Sequence, residues 1–214
     1  VVVVKLIVEK MYPNITQYCN NLVQQFDTLS SERIEVLAKI STYIQSKIAQ
    51  KEPIQLMYVC THNSRRSHFG QIWAAVAANY YSIPNLSTFS GGTEATTFNE
   101  NAIHALEETG FEISELSTGN NPHYRVNFGE NLYTTCFSKV YDDAVNPTSN
   151  FAAIMTCSDA EENCPYIPGV ELRIATTYDD PKAFDNTPVQ GAKYLERSNQ
   201  IALECLYVFS RLKK

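Results

Sequence analysis

The sequence predicts an α/β fold, with a mostly parallel sheet flanked by helices and two further helices ahead of it. Three observations carry this. Short apolar runs of buried-strand type alternate with helix-period segments from residue 54 onward. A polar loop sits at one strand-to-helix junction, where ligands bind in such sheets. The 214 residues, 44% apolar, suffice for one ordinary domain plus an appendage.

Val1 to Val8 is apolar apart from Lys5 and reads as a strand or a trimmed terminus. Ile15, Tyr18, Cys19, Leu22, Val23 and Phe26 recur at helical spacing. Ser30 then caps a second helix with the stripe Leu37, Ile40, Ile44 and Ile48. The short turn between them suggests an antiparallel hairpin, whose apolar faces have three possible partners: each other, the main domain or a second copy. Lys51-Glu52-Pro53 ends it, which divides the chain into an extension, 1–53, and a main domain, 54–214.

Ile54 to Val59 is the first strand of that domain, and Cys60 to Arg66 the loop at its end. Ser67 opens a helix with the inner face Phe69, Ile72, Trp73, Val76, Ala77 and Tyr80. Leu86 to Ser90 is the next strand, stopped by Gly91-Gly92. Asn99 to Thr109 is a helix ended by Gly110. Residues 113 to 130 read as polar and irregular, with a turn at Gly119-Asn120-Asn121-Pro122. Phe151 to Cys157 and Val170 to Ala175 are further strands, and a helix from Val189 closes the chain with Ile201, Cys205, Val208 and Leu212 inward.

The net charge of −6 argues against a general nucleic-acid binder, so an anionic guest needs a local positive pocket. No stretch approaches the ~20 apolar residues of a membrane span. The six cysteines are dilute in a long chain, which favours a cytoplasmic protein with reduced thiols, any disulfide then being catalytic.

Cys60 is followed by Thr61, His62, Asn63, Ser64, Arg65, Arg66 and Ser67. Short polar linkers let backbone N–H groups turn inward as a nest of donors. An arginine fork grips two oxygens at once. The same donors and a following helix N-terminus favour thiolate over thiol. The pattern is that of attack on phosphate or a phosphate-like anion. A buried structural Cys60 with surface arginines is the bland alternative, but this polar run cannot pack in a core without partners.

With Ser67 after the arginine, the loop resembles that of the low-molecular-weight protein tyrosine phosphatase superfamily. A second family signature, the Asp-Pro pair carrying the general acid, is matched by Asp180-Pro181. The resemblance spans Ile54 to the C-terminus and implies a four-stranded parallel sheet. The segment from Cys157 to Cys164 resembles the redox segment of the thioredoxin-coupled arsenate reductases in that superfamily. Read by itself, a cysteine ending a strand beside the anion loop can attack Cys60, and a nearby thiol can resolve the disulfide. A zinc pair competes, but the spacing is long and no second Cys or His pair accompanies it, so neither metal nor cofactor is expected.

The resemblance implies Cys60 as nucleophile, Arg66 and the loop from Thr61 to Ser67 as oxyanion cradle, Asp180 as proton donor and Cys157 and Cys164 as redox relay. It implies thioredoxin as reductant. Ser67 is expected to hydrogen-bond the Cys60 sulfur, and Asn63 to brace the loop. His62 stands where relatives commonly have glycine, and Arg65 where they often have cysteine. Gln71 stands where some reductases use glutamate toward potassium, so that ion is not expected. Cys19 and Cys205 fall on apolar helix faces, Cys136 has no assigned role, and Tyr141-Asp142-Asp143 lies near the expected site. Two other functions compete with arsenate reduction. One is hydrolysis of phosphotyrosine or small phosphate esters, for which Tyr178 and Phe184 offer aromatic surface. The other is an idle binding module whose N-terminal helices mediate self-association or dock a regulator.

Overall fold

The computed structural model describes residues 10–163 and 166–213. The run Val1–Val8 and Cys164 therefore lie outside the described residues. In chain order the elements are α1 (Pro13–Val23), α2 (Ser31–Gln50), β1 (Ile54–Cys60), α3 (Arg66–Tyr80), β2 (Leu86–Gly92), α4 (Glu100–Glu108), β3 (Glu112–Glu115), β4 (Tyr124–Gly129), β5 (Leu132–Cys136), β6 (Phe151–Met155), α5 (Ser158–Asn163), β7 (Val170–Ala175) and α6 (Gln190–Ser210). Four strands form the expected sheet in the order β2-β1-β6-β7, every pair parallel.

Strand alternation divides the buried residues between two faces. Leu56, Tyr58, Ala152, Ile154 and Ile174 join the large cluster built with α3 and α6. Met57, Val59, Ala153 and Met155 join a smaller one with Phe151, Ala160 and Ile167. Burial on both faces is why the two central strands, β1 and β6, read as nearly continuous apolar runs. Cys60 and Cys157 belong to the smaller cluster, at the C-terminal ends of adjacent strands.

Ser30 caps α2 as its side chain predicts, Oγ accepting from the Arg33 N–H at 3.2 Å. Ile15, Cys19 and Leu22 of α1 and Leu37, Ile40 and Ile44 of α2 are buried in the same cluster as α3 and α6. Both helices lie against α6. Tyr18 of α1 stacks on Trp73 of α3 with ring centroids 5.7 Å apart. Of the three partners the sequence left open, the apolar faces use the main domain.

Two expectations need correcting. Residues 113 to 130 are not irregular: β3 and β4 belong to a second, antiparallel sheet of order β3-β4-β5. Its outward positions are polar, and only alternate residues such as Val126 and Phe128 are buried, so the apolar signal is thin. β2 also does not stop at Gly91-Gly92; it runs through both and sets Gly92 opposite Cys60. Among the described residues no helix is long and apolar enough to cross a membrane.

Candidate active site

Asn63 organises the loop. Its φ of +43° lies in the left-handed region, which asparagine tolerates better than most residues. Oδ1 accepts the Lys139 backbone N–H at 2.9 Å. A backbone N–H can only donate, so the amide is oriented with Nδ2 toward Ser67 Oγ, 2.8 Å away. With Asn63 donating to it, the Ser67 hydroxyl has its own proton free for the Cys60 sulfur, 3.0 Å away. The expected brace and the expected sulfur contact are thus one relay.

The loop carbonyls turn outward. Cys60 O accepts Thr93 N–H, Thr61 O accepts Glu94 N–H, His62 O accepts the hydroxyls of Thr96 and Ser138, and Ser64 O accepts Asn99 N–H. A trans peptide points its N–H opposite its C=O, so the amides of Thr61, His62, Asn63 and Arg65 face inward. α3 begins at Arg66, one residue earlier than expected, and Phe69 N–H makes its first internal bond to Arg65 O at 3.0 Å. The helix end adds a favourable dipole to this nest.

Gly92 permits the close approach of β2 to the loop. A Cβ there would stand 2.6 Å from Thr61 O and 2.8 Å from Asn63 N, and closer still to Glu94 O, all backbone atoms. Gly92→Ala is expected to displace the loop and weaken oxyanion binding by about tenfold or more, read as the inhibition constant of phosphate.

Asp180 is pinned by two arginines. Arg66 Nη2 reaches Oδ2 at 2.7 Å, and Arg65 Nε approaches Oδ1 at 2.9 Å. Burial works against the carboxylate, but Arg66, then Arg65, and the Lys182 backbone N–H outweigh it and hold Asp180 below the ordinary aspartate range. Arg66 Nη1 also donates to the Tyr178 carbonyl at 2.7 Å. Its buried Nε has no hydrogen-bond partner among the described residues, which leaves a donor for a guest. Arg65 is buried, with its guanidinium turned to Asp180. Cys60, His62, Ser64, Arg65, Arg66 and Asp180 line one small cleft. His62 sits at its half-exposed edge, 3.8 Å from the Glu94 carboxylate.

Cys157 is buried just before α5. Its sulfur accepts the Ala160 N–H at 3.4 Å and lies 3.4 Å from Thr61 Oγ1. Thr61 Oγ1 donates to Asp159 at 2.7 Å, so the Cys157 thiol is the donor toward it. The Thr61 side chain thus ties Cys157 to the loop that begins at Cys60. Tyr141 packs against the same cluster as both. Burial pushes the thiols of Cys19, Cys136 and Cys205 up to about 12, which leaves them inert at neutral pH.

Sequence reasoning missed Gly92, the Tyr178 carbonyl and Lys139. Lys139 is a buried cation over the Phe137 ring, 4.4 Å from its centroid. Together with burial, its charge holds the fully buried His68 well below the ordinary histidine range, against the Asn63 backbone. The only sequence signal for these was proximity to loop or acid, as with Gly92 at a strand end and Tyr178 two residues before Asp180.

A parallel four-stranded sheet, a Cys-x5-Arg-Ser loop at the end of β1 and an Asp-Pro pair facing it are features this chain shares with the low-molecular-weight protein tyrosine phosphatase superfamily, whose fold it has. Within it, the chain is similar to arsenate reductases. It is 27% identical to arsenate reductase 2 of Staphylococcus epidermidis over 126 residues, covering 59% of this chain and 77% of that one. It is 28% identical to the Staphylococcus aureus reductase over 127 residues with the same coverage. It is 25% identical to that of Bacillus licheniformis over 142 residues, 66% of this chain and 84% of that one. The fold matches the crystal structure of an Archaeoglobus fulgidus arsenate reductase with a TM-score of 0.50 at 16% identity, over 73% of this chain and 99% of that one. It also matches an arsenate reductase in a phosphate-binding state with a TM-score of 0.51 at 16% identity, over 75% and 99%. No protein-family model matches the chain.

Proposed function

We infer that the chain is a cysteine-dependent arsenate reductase that regenerates its nucleophile through an internal disulfide relay. The observation that supports this best is the placement of a second cysteine, Cys157, beside the Cys60 loop and joined to it through Thr61. A phosphatase has no use for that thiol. The dianion enters between the inward amides and Arg66, taking Arg66 from Asp180. Cys60 attacks arsenic, and the departing oxygen leaves as water with a proton from Asp180. Cys157 then attacks the Cys60 sulfur. The S–As bond breaks, its electron pair reduces arsenic to the trivalent state, and arsenite leaves. Cys164 attacks Cys157, frees Cys60 and leaves a Cys157–Cys164 disulfide for a dithiol reductant of the thioredoxin kind. Such a cycle belongs in a reducing compartment such as the cytoplasm.

Hydrolysis of aryl phosphates is the second reading, favoured by the same cradle and acid, and a residual activity of this kind is expected beside the first. Disulfide mass mapping after arsenate exposure is the test. Cys60–Cys157 and Cys157–Cys164 species should both accumulate when reductant is withheld. Aryl phosphate turnover with neither disulfide would sink the reductase reading in favour of the phosphatase.

A further inference from the structure

α2 lies outside the region that carries the catalytic signatures, yet one of its side chains reaches the acid-bearing segment. Arg33 grips Glu204 of α6 at both carboxylate oxygens, Nε to Oε1 at 2.9 Å and Nη2 to Oε2 at 2.8 Å. The same Nη2 donates to the carbonyl of Thr176 at 2.7 Å. The guanidinium stands 4.8 Å from the centre of the Tyr178 ring. The Tyr178 hydroxyl donates to Glu204 Oε2 at 2.7 Å. Two of these contacts fall on the segment that ends in Asp180, not on the helix that carries Glu204. That segment leaves the sheet after β7 and is otherwise tied by Thr176 N–H to Met155 O and Tyr178 N–H to Thr156 O. Tyr178 in turn offers its carbonyl to Arg66.

The plain alternative is an ion pair that serves the fold alone. Buried ion pairs, however, contribute little over well-packed apolar residues of the same size. What this pair supplies is direction: a planar fork fixes one carboxylate, one carbonyl and one ring together. Glu204 is 2% exposed, so its geometry is set by these partners and not by water.

We propose that Arg33 is a positioning residue for the reaction, fixing the Thr176–Asp180 segment against Arg66 through Glu204 and Tyr178. The N-terminal helices are then part of the catalytic unit. The inference rests on the reading of Asp180 as proton donor.

The full chain is compared with Arg33→Met and with Arg33→Met/Glu204→Gln, which strands no buried carboxylate and keeps an acceptor for the Tyr178 hydroxyl. Two readouts are taken: amide hydrogen exchange over 176–180, and hydrolysis of phenyl phosphate against dinitrophenyl phosphate. Phenoxide is a poor leaving group that needs the acid, and dinitrophenoxide is not. Exchange is expected to rise at 176–180 and not in β1. The phenyl to dinitrophenyl kcat ratio is expected to fall about tenfold, with KM changed far less, because a displaced acid costs rate rather than binding. Unchanged exchange overturns the inference. So does faster exchange with an unchanged ratio, or a double variant that does not fold, which assigns the pair to folding. Asp180→Asn that keeps the wild-type ratio sinks the general-acid reading itself, and the inference with it.

Discussion

Cys157→Ser is expected to stop arsenate reduction after a single addition to Cys60, while aryl phosphate hydrolysis stays within about threefold of wild type. The serine hydroxyl cannot attack a sulfur to form a disulfide, so arsenic remains pentavalent on Cys60 and the S–As bond has no thiol to break it. Cys157 touches the loop through the Thr61 side chain and not through the inward amides, so its loss leaves the cradle intact. Cys60→Ser is the control and loses both activities. The comparison is made by NADPH oxidation in the presence of arsenate, thioredoxin and its reductase, against release of the aryl alcohol. Arsenate turnover that continues in Cys157→Ser would show that reduction proceeds by another route.

Asp180→Asn is expected to lower hydrolysis of poor leaving groups by about 10² to 10⁴-fold, the usual worth of a positioned acid. The asparagine holds no transferable proton, so the decline of activity with rising pH that the carboxyl imposes disappears in the variant. The same substitution carries a stability signature. The folded Asp180 is held below its ordinary range, after Arg66 and Arg65 outweigh burial. A depressed carboxyl stabilises the fold above the unfolded value, about 3.9, and that contribution vanishes as pH falls through the folded value. Thermal melts should separate the two proteins near neutrality and bring them together in acid. A constant gap between the melting curves down to pH 2 would refute the linkage.

The sequence exposed the sheet and the loop for the same reason: both faces of β1 and β6 are covered, so their apolar runs are dense, and the loop interrupts them with a polar run of fixed length. Ser30 as a cap and Asn63 as a brace were legible because each acts within a few residues of its own position. The antiparallel sheet was not, because Glu112, Ser114 and Glu115 face outward and leave Ile113 to speak alone for β3. Gly92 and Arg33 were missed for a different reason. Gly92 matters through Thr61 and Asn63, far back in the chain, and Arg33 through Glu204, 171 residues away. Neither position has a local pattern that betrays its partner. The role of Arg65 was hidden likewise, since only the fold brings Asp180 to face it.

The double arginine clasp on Asp180 gives the cleft its own counter-ion. Under the proposed chemistry a guest enters by exchange, displacing a carboxylate from Arg66, and a doubly charged oxyanion does this better than a singly charged one. Under the proposed chemistry the cycle ends with arsenite, an uncharged acid at neutral pH. Such a product has no hold on the guanidinium once Asp180 swings back, so the returning side chain doubles as an ejector.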